Sequence, residues 1–215
     1  MTGTNSDGAT ATASISVNAD TNVDYVKITP DEESGIIPFQ TLLKLEASFD
    51  ITEEPQFTYS GPGSVSRTEL DDENNCIVTI NTPGLYYLTA TVENDGNTYS
   101  DMVGIMVMDE AMLDALLKAK WNGMKTALID GDKEGALTYY QEGSKERYQE
   151  IFNVLADNIS AIASDMGEIE LVYVNEKIAK YRIKRQETIQ GQVYDITYFI
   201  YFNKGLDGIW KIESF

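Results

Sequence analysis

Histidine is missing from this 215-residue sequence, and cysteine occurs once, as Cys76. Without histidine no His–Asp acid–base pair can form. One cysteine rules out a disulfide within the chain. Its setting, Asn75-Cys76-Ile77-Val78-Thr79-Ile80, reads as a buried strand position rather than a reactive thiol. So cysteine-poor a chain suits either the cytosol or a bacterial exterior. No run of eighteen apolar residues occurs, so no transmembrane helix is expected. The opening Met1-Thr2-Gly3-Thr4-Asn5 lacks the basic start and apolar core of a signal peptide. Basic residues are also scarce, 16 against 35 acidic, for a formal charge of −19. Such a surface repels phosphate backbones and anionic lipid, which argues against nucleic acid as a partner and against membrane insertion.

The charge is unevenly placed. Residues 1–109 hold 18 acidic and 3 basic side chains, and residues 110–215 hold 17 and 13. The hydrophobic patterning changes at the same place, which predicts two domains with different surface roles. Between Asp24 and Asp109 short alternating strands (Val23 to Ile28, Leu42 to Phe49, Phe57 to Tyr59, Cys76 to Ile80, Tyr86 to Val92, Tyr99 to Val107) are separated by Pro, Gly, Asn and Asp clusters. That spacing predicts an antiparallel sandwich. Residues 1–20 contain an Asp7-Gly8 turn followed by Ala11, Ala13, Ile15 and Val17 in alternation, with no earlier strand expected to pair with them. Gly8 lies 88 positions before Gly96 of the similar Asp95-Gly96 turn, about one sandwich repeat. Residues 1–20 therefore read either as the remnant of a preceding repeat, with Met1 an internal start, or as a first strand.

From Asp109 the period becomes helical. Leu113, Leu116, Leu117, Trp121, Met124 and Leu128 predict one long amphipathic helix, N-capped by Asp109 and ended by Asp130-Gly131. A short helix capped by Asp132 and a third running to Met166-Gly167 are expected next. Four strands follow, an α+β order. Pairing Glu168–Val174 with Ile178–Ile189 through a three-residue Asn175-Glu176-Lys177 turn sets Leu171 beside Tyr181 and Ile169 beside Ile183 on the inner face. On the outer face it sets Glu170 opposite Arg182 and Glu168 opposite Lys184. A turn at Gln190-Gly191 then puts Ile183 beside Tyr198 and Tyr181 beside Ile200, with Trp210 and Ile212 closing the same face.

Pro83-Gly84-Leu85-Tyr86-Tyr87-Leu88-Thr89-Ala90-Thr91-Val92 and Phe57-Thr58-Tyr59-Ser60-Gly61-Pro62-Gly63 resemble strands of polycystic-kidney-disease-type and bacterial immunoglobulin-like repeats, with Tyr59 where tryptophan is commoner. The resemblance implies an immunoglobulin-like β-sandwich over 21–109, of a kind used as spacers or adhesive modules on bacterial surfaces. Residues Trp121 to Leu128, Gly131 to Leu137 and Asp207 to Ile212 resemble the nuclear transport factor 2-like superfamily, the cystatin-like cone. For 110–215 it implies an α+β cone, three helices and then a curved four-stranded antiparallel sheet that leaves a pocket.

The candidate pocket lining is Tyr148, Tyr181, Tyr194, Tyr198 and Trp210, and the inner parity also offers Tyr173, Arg185 and Glu187. Isomerases of the cone fold need a carboxylate base in the pocket. Asp195 falls on the outer parity and Glu187 near a turn, so no catalytic residue is assigned. No cofactor is expected, with calcium the alternative. Asp130, Asp132 and Glu134 open like a calcium loop, but Gln141 stands where the bidentate Glu belongs. Asp31-Glu32-Glu33 and Asp71-Asp72-Glu73 read as solvated loops or, alternatively, as calcium ligands. The expectation is a non-enzymatic, extracellular or cell-surface bacterial module, a sandwich spacer presenting a cone domain to a protein partner or small ligand. The alternatives are a small-molecule enzyme or carrier using the cone pocket, and a calcium-stiffened stalk.

Overall fold

The computed structural model describes residues 23–70 and 74–215, together with the backbone of two short strands, β1 (Thr2–Thr4) and β2 (Thr10–Thr12). These two pair antiparallel, Thr2 against Thr12. The expectation that Ala11 and its neighbours have no earlier strand to pair with is thus corrected. The Asp7-Gly8 turn, Ala13 to Val17 and the Asp71-Asp72-Glu73 run lie outside the described residues.

Eight strands follow: β3 (Val26–Pro30), β4 (Ser34–Ile36), β5 (Phe39–Ala47), β6 (Gln56–Ser60), β7 (Val65–Glu69), β8 (Asn75–Ile80), β9 (Gly84–Asn94) and β10 (Asn97–Met108). They form two four-stranded sheets, ordered β3-β5-β8-β7 and β4-β10-β9-β6, antiparallel except where β4 runs parallel to β10. Alternate residues of both sheets enclose one core, with Leu43, Val78, Ile80, Tyr86, Ile105 and Val107 almost solvent-free. Cys76 lies within it, and burial pushes its thiol pKa up. The β9–β10 hairpin turns at Asp95-Gly96, both in the left-handed region (φ 49° and 76°), as an Asp-Gly pair favours. Strands β4 and β7 escape the sequence pattern for different reasons. β4 is three residues long, and its Gly35 sits where a Cβ would stand 2.1 Å from the Phe39 ring. β7 carries one apolar residue, Val65, and is an outermost strand of its sheet.

Four helices come next in the chain: α1 (Glu110–Ile129), α2 (Lys133–Leu137), α3 (Glu142–Val154) and α4 (Ile159–Asp165). Asp109 caps α1 by accepting from Met112 N at 2.7 Å. The expected single third helix is two. Leu155 leaves the helical region, and Asn158 N donates to Leu155 O, closing a turn where Asp157 and Asn158 are weak helix formers.

The last sheet runs β11 (Glu170–Val174), β12 (Ile178–Ile189), β13 (Gln192–Lys204), β14 (Trp210–Ser214), all antiparallel neighbours. The pairs Leu171–Tyr181, Glu170–Arg182, Ile183–Tyr198 and Tyr181–Ile200 form as expected, and Arg182 Nε holds Glu170 Oε2 at 3.0 Å. Nearer the turn the register slips. Tyr173 pairs with Lys180 and Val174 with Ala179, leaving Val172 as a bulge. The connection is the expected Asn175-Glu176-Lys177, across which Asn175 N donates to Ile178 O. Ile169–Ile183 and Glu168–Lys184 lie beyond the ladder, which begins at Glu170.

Helices and sheet share a second core in which Leu117, Trp121, Met124, Leu128, Tyr140, Tyr181, Ile200, Phe202 and Ile212 have essentially no exposure. Fully burying one such large side chain contributes roughly 1.5–3 kcal/mol. Tyr140 and Ile212 form a parallel bridge that ties the α2–α3 connection to β14.

Candidate functional site

The helix-covered face of the last sheet is where the sequence places a pocket. Tyr181 sits there because odd positions of β12 share the face of even positions of β13. Tyr148 and Trp210 join it from α3 and β14, all three deeply buried. Tyr194 and Tyr198 share the parity but not the environment: they are 47% and 46% exposed. The helices cover only the proximal half of the hairpin, so the five expected lining residues do not converge. Tyr173 is exposed as well, carried outward beside the Val172 bulge. Arg185 and Glu187 pair with each other at 3.0 Å on the open half.

Rings fill the space where a pocket was expected. Phe215 stacks on Tyr148 with centroids 5.3 Å apart and meets Trp121 edge-on at 5.2 Å. Tyr140 lies 4.3 Å from Tyr148, and Phe152 packs against both. The Tyr148 hydroxyl donates to Phe215 O (3.0 Å) and accepts from Phe215 N (2.8 Å). Trp121 Nε1 donates to Gly167 O, and Ser144 Oγ donates to Glu213 O. The Tyr140 hydroxyl is buried with no hydrogen-bond partner among the described residues. Its pKa is driven far up by burial.

Among the described residues, Asp114 brings a carboxylate to this core, from a helix rather than the sheet. Asp114 of α1 accepts from the Tyr181 hydroxyl at 3.0 Å and pairs with Lys118 at 2.7 Å. The sequence signal was there, since Asp114 flanks the apolar stripe of α1 beside Leu113 and Leu117. Burial and then the Asp114 charge raise the Tyr181 pKa, so this phenol stays protonated and ties α1 to β12. Of the candidate metal ligands, Asp132 caps α2 by accepting from Gly135 N (2.8 Å), Asp130 closes α1, and Glu134 lies in the first turn of α2. Asp31 pairs with Lys44 at 2.7 Å.

A second cluster joins the two cores. Lys204 of β13, its side chain 5% exposed, donates to Glu32 Oε2 at 2.6 Å and to Ser34 O. Lys177 Nζ stands 3.8 Å from the same carboxylate. Ile36 and Met108 press on the second core from the first unit. Gly208, with φ +73°, lets the β13–β14 turn approach, since a Cβ there would sit 3.0 Å from Ser34 Oγ. Beside this joint lies a cleft of about 570 Å³, bordered by Glu32, Ser34, Met106, Lys204 and Leu206. Both of its cations, Lys204 and Lys177, already face the Glu32 carboxylate.

The remaining feature is the distal half of the β12–β13 hairpin. Beyond Arg182 and before Tyr201 it is a two-stranded ribbon without a third strand among the described residues. Ile189, Val193, Tyr194, Tyr198 and Phe199 stand on it at 42–63% exposure. The Lys180 ammonium lies 3.9 Å from the Phe199 ring centroid. Gln190 and Gly191, at φ 54° and 82°, make its two-residue turn.

No protein-family description matches this chain, and no curated protein matches it. Among solved structures, a chimeric titin Z1Z2 functionalized with a KLER exogenous peptide from decorin is 14% identical, covering 40% of this chain and 95% of that one, with a TM-score of 0.27.

Proposed function

We propose that the chain is a non-catalytic, extracellular or cell-surface bacterial module. In this reading residues 21–109 form an immunoglobulin-like spacer, and residues 110–215 form a domain of the cystatin-like cone type that meets its partner on the outside. The observation that carries it is the filled interior: Trp121, Tyr140, Tyr148, Phe152 and Phe215 occupy the volume a ligand would need. The core phenols are engaged by Phe215 and Asp114 or, at Tyr140, driven away from ionisation, which leaves none of these three phenols poised for proton transfer. Large apolar side chains stand instead on the projecting ribbon, where exposed apolar surface marks protein contact.

Both tryptophans of the chain lie in this second core. Their fluorescence therefore reports anything that enters it. Titration with an apolar quencher that acts only on contact, such as a brominated alkane, should leave the tryptophan emission unchanged below the unfolding temperature. Saturable one-to-one quenching would instead establish an interior ligand site and overturn the surface reading. Protease shaving of intact cells should release the module, and its retention in the cytosol would refute the surface location.

A further inference from the structure

Strand edges that face water are usually guarded by charge, proline, a bulge or short length. The two edges of the projecting ribbon differ in this respect. The β12 edge carries Lys184, Arg185 and Glu187 between Ile183 and Ile189, whereas the β13 edge runs Gln192-Val193-Tyr194-Asp195-Ile196-Thr197-Tyr198-Phe199 with one charge and neither proline nor glycine. Over that stretch β13 hydrogen-bonds β12 on one side, and among the described residues no strand covers the other, because β14 begins to pair only at Tyr201. Alternate residues of this stretch, Val193, Asp195, Thr197 and Phe199, thus offer open backbone donors and acceptors between aromatic and β-branched side chains. An isolated two-stranded hairpin is marginal in water, and a third and fourth strand would complete it.

We propose that this edge pairs with the same edge of a second copy of the chain, antiparallel about a two-fold axis at Ile196. This names the partner class for the surface-binding reading and rests on it only in locating the contact outside the core. The strand is complementary to itself in that register. Tyr194 faces the partner copy's Tyr198, Val193 faces its Phe199, and Ile196 faces its own counterpart. Aromatic and β-branched pairs of this kind stabilise antiparallel ladders. Asp195, the single charge on the edge, falls opposite Thr197 and not opposite another Asp195. A shift of two positions, centring the axis on Asp195, would set the two carboxylates against each other.

Electrostatics permit pairing at this place. A molecule of charge −19 repels its copies over most of its surface. From Ile183 to Phe199 the ribbon holds Lys184, Arg185, Glu187 and Asp195, two of each sign, so it adds no net repulsion of its own. The completed interface joins the two four-stranded sheets into one eight-stranded sheet, an isologous arrangement that closes at two copies.

Sedimentation velocity on the full chain decides the matter. The unmodified protein should shift from 23.9 kDa towards twice that mass as its concentration rises through the micromolar range. Thr197 is exposed, so both Thr197→Asp and Thr197→Lys should fold, as circular dichroism and the melting temperature will show. The register requires opposite outcomes. Thr197→Asp sets a carboxylate against the partner copy's Asp195 twice per dimer and should weaken association at least tenfold. Thr197→Lys sets an ammonium there and should keep or tighten it. Val193→Lys, opposite Phe199, should weaken it as well. A chain that stays at 23.9 kDa up to about 100 μM overturns the proposal, since edge-paired dimers of useful affinity form well below that. So does a dimer indifferent to Thr197→Asp and Val193→Lys. A monomeric result leaves the filled core, and the tryptophan test of it, untouched.

Discussion

Replacing Tyr140 by phenylalanine should stabilise the protein, although it deletes a polar atom from the core. The reasoning is local. The Tyr140 ring keeps its contacts with Tyr148, Phe152 and Phe215 in either side chain. Its hydroxyl is buried without a partner, so folding takes that group out of water and gives nothing in return. An unsatisfied buried hydroxyl costs about 1–3 kcal/mol, and its removal should recover about 1 kcal/mol once the small void is counted. For a chain of this size that is a rise in Tm of about 2–4 °C. Tyr148→Phe is the matched control. It sits against the same rings, yet its hydroxyl makes two bonds to Phe215. Losing both, and leaving the Phe215 amide unpaired, should cost about 1–3 kcal/mol. Calorimetry or chemical denaturation of the two variants should therefore move in opposite directions. If Tyr140→Phe lowers Tm as much as Tyr148→Phe does, the Tyr140 hydroxyl has a partner, such as an internal water, and the reasoning fails.

Two further outcomes follow from the same contacts. The folded-state pKa values of Tyr140 and Tyr181 lie above the ordinary phenol value of 10. The unfolded chain therefore loses these protons first, and stability held in full below about pH 10 should fall as pH rises beyond it. The slope is about 1.4 kcal/mol per pH unit for each tyrosine, and Tyr140→Phe should make the alkaline decline in Tm shallower. At the joint, Lys204→Met removes the bonds to Glu32 and Ser34 and should cost about 1–3 kcal/mol. Glu32→Gln leaves the buried ammonium without its carboxylate and should also destabilise. The double variant should cost less than the two losses together, and a strictly additive result would refute the coupling.

Much of the architecture can be read from local chemistry. The alternation along Tyr194 to Phe202, the Gln190-Gly191 turn and the Leu171–Tyr181 pair require only a two-residue period and a left-handed turn, and the structure has all three. Asp109 and Asp132 announce their helices through side chains that reach their own first turns. The missed features depend on distant parts of the chain. Val172 bulges where β11 must follow both the helices and β12, and β4 exists because β10 offers it an edge. Parity gave Tyr194 and Tyr198 the right face of the sheet. It carried no information on how far the helices extend along that face, which decides that Tyr181 is buried and Tyr198 is not. Asp114 was hidden for the same reason, since its partner is 67 residues away.

The passage from β10 into α1 has a mechanical consequence. Only Asp109 separates the last strand residue from the first helical one, and that residue is committed twice, its side chain to Met112 N and its carbonyl to Leu113 N. Bending there would first have to break the helix cap, while Lys204 and Glu32 brace the opposite side. Torque applied to a twelve-residue strand is thus delivered directly to a twenty-residue helix, as through a keyed shaft. Whatever orients the strand sheets also aims the ribbon.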